Sequence, residues 1–291
     1  MRHDLTNFSH GNLMLILRTA LIVVALGLSG AAMAQRKGVE VELPAGDTKR
    51  ELKFEGAQPM ILGIKLGDTK ERVAEILEKE FGASAIKISH ERMGTIVDGV
   101  VEVGSTKFLS GYFAHKLENN QSNTIDVTLS SPMTGSRVIG IKRKVEFGGN
   151  NLTELPDFKA LESSVLNNYG PSTKTFFHLD GLQWQYVASN GKLAIRKDKC
   201  FNVTLNACTL HGVGTTYLDE MERVNKKGVE VIVSALVVGY GQNTGKARML
   251  NVELKDVGGA LESHIAVFDL LTEKGKAALK ENAGAAPKIA F

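Results

Sequence analysis

The sequence is poor in cysteine, tryptophan and proline, with two, one and six residues among 291 positions. The first cysteine is Cys200, so we expect no lipid attachment near the N-terminus, because that modification needs a cysteine at the cleavage site. Beyond residue 34 the apolar runs are only as long as strands, whereas a membrane-spanning helix needs about 20 residues. We therefore expect no membrane span after the N-terminal segment.

Neither sign of charge is in large excess. The chain has 35 Lys and Arg against 32 Asp and Glu, which gives a net charge of +3. Nucleic-acid-binding proteins usually concentrate a basic excess on one surface. Nucleic acid is therefore not an expected partner.

Motifs for catalysis, metals and cofactors are also missing. The sequence contains no H-x-H, H-x3-H or H-E-x-x-H histidine pattern and no G-x-S-x-G. Residues 239–246 are rich in glycine, but only three residues separate Gly241 from Gly245 and Ala247 follows Lys246, so they predict a hairpin turn and not a phosphate loop. We predict no catalytic residue, metal or cofactor, although a hydrolase with residues that converge only in space remains an alternative. The histidines after residue 34 are His90, His115, His178, His211 and His264.

The N-terminal segment has the three parts of a secretory signal peptide. Positive charge ends at Arg18, an apolar run covers residues 19–30, and Ala32 and Ala34 occupy the positions that a signal peptidase accepts. We predict that residues 1–34 are removed before Gln35 and that the mature protein is periplasmic or secreted. An uncleaved anchor is the alternative, but the uncharged stretch after Arg18 is short for a membrane span.

The two cysteines, Cys200 and Cys208, lie eight positions apart. In an oxidising compartment two nearby thiols most simply form a disulfide, which we predict here. A metal site with His211 and a pair of free thiols are the alternatives. Structural zinc usually has four ligands with closer spacing, so the metal site is the less favoured of these.

The first half of the mature chain predicts an arm and then a helix. Residues 35–59 form the arm, in which the alternation of 39–43 indicates a short edge strand. In the helix that follows, Asp68 is the expected N-cap, with Glu71 completing a capping box. Gly82 is the expected end of the helix. The apolar face of this helix consists of Val73, Ile76, Leu77 and Phe81.

After this helix the apolar pattern changes to a period of two, which predicts strands. A helix followed by an antiparallel meander makes residues 60–149 one α+β unit. The predicted strands cover residues 85–88, 96–103, 108–113, 124–129 and 138–147.

The second half repeats this order after the linker Gly148–Asn151. A helix is predicted over Pro156–Tyr169 and ends at Gly170, which lies 88 residues after Gly82. We therefore predict a tandem repeat, with residues 150–282 as the second α+β unit. Its strands are expected at 182–187, 192–196, 229–240 and 249–254, followed by a C-terminal helix over 265–281, weakened by Gly275, and a tail over 283–291.

The segment Gly63-Ile-Lys-Leu-Gly67-Asp68-Thr69, with Val73 following at helical spacing, resembles a known family. It is similar to the start of the α+β units in SmpA-type outer-membrane-assembly lipoproteins and in the structurally related β-lactamase-inhibitor proteins. The resemblance covers Gly63 to Gly82, and Pro156 to Gly170 shows a weaker similarity. The sequence departs from the lipoproteins in lacking their lipid-bearing cysteine. It implies an envelope location and protein binding through a sheet, with no catalytic residues to transfer.

Four residues are candidates for partner binding. Lys142 and Lys144 share one face of a predicted strand, and Trp184 and Tyr186 share one face of another. A solvated sheet face and a core position, respectively, are the alternatives. We predict a non-catalytic exported protein that binds a protein or envelope component; an inhibitor of a secreted hydrolase and a secreted hydrolase are the competing functions.

Overall fold

The computed structural model describes residues 38–46, 50–149, 151–172, 174–175, 181–196, 215–241 and 244–284. The α-helices in these ranges are α1 (Lys70–Phe81), α2 (Phe158–Tyr169), α3 (Thr215–Asn225) and α4 (Val257–Gly284). The strands are β1 (Val39–Val41), β2 (Met60–Ile61), β3 (Ile64–Lys65), β4 (Ile86–Glu91), β5 (Gly94–Val97), β6 (Val101–Ser105), β7 (Phe108–Glu118), β8 (Gln121–Leu129), β9 (Val138–Phe147), β10 (Lys174–Thr175), β11 (Gly181–Ser189), β12 (Lys192–Ile195), β13 (Val229–Gly239) and β14 (Ala247–Asp256).

Nine of these strands form one sheet, in the order β10-β11-β13-β14-β9-β8-β7-β4, with β12 paired to β11. Every pairing in this sheet is antiparallel. The two halves of the chain meet where β9 pairs with β14. Val73 of α1 and Trp184 of β11 belong to the same core cluster, so both halves share one core. The α+β fold with antiparallel strands and a C-terminal helix is confirmed.

The two halves have part of their element order in common. Each half has a 12-residue helix, α1 or α2, that precedes four antiparallel strands of the main sheet. From the edge of the sheet to its centre, these strands are β4, β7, β8 and β9 in the first half and β10, β11, β13 and β14 in the second. The capping hydrogen bonds of the helices correspond at an offset of 88 residues. In α1 the Thr69 side chain accepts from the Arg72 amide at the N-cap, and the Gly82 amide donates to Glu78 O at the C-cap. In α2 the corresponding bonds are from the Ala160 amide to Asp157 and from the Gly170 amide to Leu166 O.

The contacts of the N-caps with the sheet also correspond. Thr69 forms an isolated antiparallel bridge with Arg137, directly before β9, and Asp157 forms one with Lys246, directly before β14. In both halves the N-cap of the helix therefore pairs with the residue that precedes a central strand, β9 or β14.

The faces of the main sheet have different covers. Alternate residues of β13 point to opposite faces of the sheet. Val231 and Val233 belong to the core cluster that includes residues of α1 and α2. Ile232, on the opposite face, belongs to the cluster that includes α3 and the start of α4. Further along, Val267 and Leu271 of α4 pack against the second sheet.

The second sheet corrects the prediction of a simple meander. Residues 96–103 were expected as one strand, but they contain parts of β5 and β6, which form a hairpin. This hairpin leaves the main sheet and pairs with the N-terminal arm in the order β1-β6-β5. The predicted arm strand is confirmed as an edge strand, and it runs parallel to β6.

Three predicted helix features also need correction. The N-cap of α1 is Thr69 and not Asp68, because the Asp68 carboxylate instead accepts the Lys65 amide at 2.8 Å. Helix α3 was not predicted. Helix α4 begins at Val257, eight residues before the predicted start, and includes residues 283 and 284 of the predicted tail.

Candidate binding face of the sheet

A row of side chains that are polar except for Phe113 crosses the main sheet on the face opposite to α1 and α2. The members of this row are paired strand by strand. From one side to the other they are Gln183, Ser234, Glu253, Lys142, Asp126, Phe113 and Lys87. We call the surface formed by this row and its same-facing neighbours the polar face. Those neighbours include Gln185, Lys255, Thr128 and Ser89 on one side and Asn251, Lys144, Thr124 and His115 on the other.

The polar face is covered in the second half of the molecule and open in the first. Gln183 and Lys255 are 0% and 2% exposed, whereas Asp126 and Lys142 are half-buried and Lys87 is exposed. A partner can therefore reach the part of this face that β4, β7, β8 and β9 form. We call this part the open region.

The predicted lysines lie in this open region. Lys142 and Lys144 share one face of β9, as the sequence pattern predicted. Lys142 stands between Asp126 and Glu253 of the neighbouring strands, and the Lys144 ammonium lies 2.5 Å from Glu146. Each lysine therefore has an acidic neighbour.

The predicted aromatic pair lies on the other face, which corrects its assignment as a binding surface. Trp184 is 0% exposed, its indole N–H donates to Gly170 O at 3.0 Å, and its ring lies 5.3 Å from that of Tyr169. Tyr186 is 6% exposed, packs edge-on against Phe54, and burial raises its pKa to about 12. The alternative that both residues belong to the core is the one that the structure supports.

A small cavity lies where the open region meets β14. Its volume is about 140 Å³, and its floor includes Glu253, which is 6% exposed. Burial raises the pKa of Glu253, although Lys255 and Lys142 act in the opposite direction; Asp126 raises it further. Burial also raises the pKa of Glu91. The lining consists of Ser89, Glu91, Ser110, Gly111, Asp126, Val127, Thr128, Ile141, Lys142 and Glu253.

Sequence reasoning missed the acidic members of this cavity, although β14 contains a signal for one of them. In β14, Leu250, Val252 and Leu254 alternate with polar residues, and this pattern predicts that Glu253 and Lys255 point to one polar face. Asp126 and Glu91 have no such local signal. Their place beside Glu253 depends on the order of the strands.

A second charged cluster surrounds Arg50, beside a cavity of about 430 Å³. Its guanidinium contacts the carboxylate of Glu230 and lies 3.3 Å from that of Asp256. Asp256 also accepts the Gly259 amide at 2.8 Å, which caps the start of α4. These groups pair with one another, so we interpret this cluster as a structural support for α4.

Several predicted features lie outside the described residues: Ala32, Ala34 and Gln35 of the cleavage site, the pair Cys200 and Cys208, and His211. Within the described ranges, no three or more His, Cys, Asp and Glu side chains are grouped so as to hold a metal ion. No helix of those ranges is both long and apolar enough to cross a membrane.

Comparisons of the chain with protein-family models, with curated protein sequences and with solved structures found no match. The resemblance to the SmpA-type and β-lactamase-inhibitor proteins therefore stays a prediction. The geometry of the polar face is the basis for the function proposed below.

Proposed function

We propose that this chain is an exported, non-catalytic protein that binds a protein partner in the periplasm or envelope through the open region of the polar face. The observation that carries the proposal is the alternation of charge across three strands, Asp126, Lys142 and Glu253. Lys144 and Glu146 continue this alternation along β9. A rigid sheet holds these charges at fixed spacing, which suits recognition of one complementary surface.

The charge pattern favours a protein partner over an anionic lipid or polysaccharide surface. Binding to a uniformly anionic surface draws on a patch of a single positive sign. Here Lys142 and Lys144 each have an acidic neighbour, which cancels much of their field at a distance. A folded protein can supply the opposite charges in register, so we take it as the partner.

A matched pair of charge reversals tests the binding face. Lys144→Glu reverses a charge in the open region, and Lys79→Glu reverses an exposed charge on α1, on the opposite side of the sheet. A protein that co-purifies with the unaltered chain from envelope extract should be recovered with Lys79→Glu but at least tenfold less with Lys144→Glu. Equal recovery with both variants would reject the open region as the binding face.

Export is tested separately by mass spectrometry of the chain recovered from a periplasmic or secreted fraction. The Ala32-Met33-Ala34 pattern predicts an intact mass that begins at Gln35. Recovery of the full chain from Met1 in the membrane pellet would instead support the uncleaved anchor.

A further inference from the structure

The cavity of the open region is smaller than a site for a metabolite. Its volume is about 140 Å³, whereas pockets for small-molecule ligands usually measure about 300–1,000 Å³. A cavity of this size accommodates one side chain. Because it opens on the proposed binding face, that side chain would come from the bound protein.

Glu253 lines this cavity, and its charged neighbours are Lys142 and Lys255. It is 6% exposed, and it forms no hydrogen bond within the described part of the chain. A buried carboxylate without a hydrogen bond is costly, and this cost is relieved when a cation or a donor arrives. The raised pKa of Glu253 is consistent with incomplete compensation by Lys142 and Lys255.

The other polar groups of the lining also favour a donor. Glu91 adds a second carboxylate, and Ser89, Ser110 and Thr128 add hydroxyls that can accept. Lys142 is the single cation among the lining residues. Arginine has five N–H donors in a planar fork and no acceptor, so its guanidinium matches a surplus of acceptors better than any other side chain does.

We propose that this cavity is the anchor site for an arginine side chain of the bound protein, with Glu253 as its buried counter-charge. This inference rests on the proposed function, because it assigns the cavity to a side chain of the protein that binds the polar face. Buried arginine anchors contribute a large share of the affinity at many protein interfaces.

The probe for this site is N-acetyl-arginine amide, with the isosteric but uncharged N-acetyl-citrulline amide as its control. Titration of the full mature chain, followed by amide chemical shifts, should show saturable changes in the millimolar range at Gly111, Thr128 and Lys142. Citrulline amide should bind at least tenfold more weakly. Glu253→Gln should abolish binding of the arginine amide, and it should remain folded, since a neutral amide is less costly to bury than a carboxylate without a hydrogen bond. Glu118→Gln, which alters an exposed carboxylate at the end of β7, should leave binding unchanged.

Equal binding of both amides, no saturable change with either, or unchanged binding by Glu253→Gln would overturn the anchor site. Displacement of the arginine amide by calcium ions at lower concentration would also overturn it, in favour of a metal site. The anchor site and the proposed function can fail separately. If the arginine amide binds but Lys144→Glu recovers the partner normally, the binding face is rejected; if Lys144→Glu loses the partner and the amide does not bind, only the anchor site is rejected.

Discussion

At the scale of single residues, buried polar groups determine how this protein responds to pH. Asp256 is 3% exposed, and burial raises its pKa from 3.8 to about 6, although Arg50 and the Gly259 amide act in the opposite direction. The folded state therefore retains a proton on Asp256 at pH values where the unfolded chain has lost it. The stabilisation that this proton provides is complete below about pH 4 and is lost as the pH rises through 6.

The Asp256→Asn variant tests this effect. Asparagine keeps an oxygen that can accept the Gly259 amide, so the cap of α4 is retained while the titration is removed. Between pH 4 and pH 7 the free energy of unfolding of the unaltered chain should fall by about 3 kcal/mol relative to Asp256→Asn. Urea unfolding at several pH values measures this difference, and a constant difference across that range would contradict the prediction.

Trp184 gives a second prediction at this scale. Because it is fully buried and donates to Gly170 O, Trp184→Ala should lower the free energy of unfolding by about 3–5 kcal/mol. Tyr240→Ala is the control, since Tyr240 is 43% exposed and its loss should change the free energy by less than about 0.5 kcal/mol. Denaturation followed by circular dichroism compares the two. Similar losses for both variants would contradict a core position for Trp184.

At the scale of elements, Gly275 illustrates a conflict between helix propensity and packing. Glycine destabilises a helix interior by about 0.5–1 kcal/mol relative to alanine, and for this reason the sequence marks Gly275 as a weak point of α4. In the structure, α4 crosses the second sheet at Gly275. A β-carbon there would overlap the side chain of Val97 and lie 2.9 Å from Cγ2 of Val103. The glycine is therefore explained by close approach of the helix to the sheet.

We accordingly expect Gly275→Ala to destabilise the protein by about 1–3 kcal/mol, since overpacking exceeds the gain in propensity. The measurement is the melting temperature. The double variant Gly275→Ala with Val97→Ala removes the nearest overlapping methyl group, so it should be more stable than the sum of the two single changes predicts. A higher melting temperature for Gly275→Ala alone would show that the close contact has no energetic effect.

At the scale of the whole molecule, the two halves of the chain share one sheet. The linker Gly148–Asn151 still predicts the first site of proteolytic cleavage, because Gly148 and Asn151 are exposed. Seven residue pairs connect β9 and β14, and the core cluster beneath α1 and α2 includes side chains from both halves. The halves should therefore stay together after cleavage.

Limited proteolysis tests this expectation. After a cut within residues 148–151 the two fragments should elute together from a sizing column and separate only in denaturant. The uncut chain should unfold in a single transition, because exposing β9 would leave apolar surface and unpaired backbone groups. Fragments that separate without denaturant would indicate two independent domains.

The sequence alone determined the local features of this protein. The period-two strands, the two glycine helix ends 88 residues apart and the strand in the N-terminal arm were all predicted, because each depends on residues close together in the chain. Even the error at the N-cap of α1 is a single position. The sequence predicted Asp68, whose carboxylate instead accepts the Lys65 amide, and the neighbouring Thr69 caps the helix.

Only the tertiary structure decided which surface is open. The two-residue alternation of a strand places Lys142 and Lys144 on one face of β9, and it places Trp184 and Tyr186 on one face of β11. This alternation does not say which face of the sheet the helices cover. That depends on where α1, α2 and α4 dock, which is set by contacts between residues far apart in the chain. The cavity also depends on the tertiary structure, because its lining includes both Glu91 of β4 and Glu253 of β14. These residues lie near each other only because of the order of the strands in the sheet.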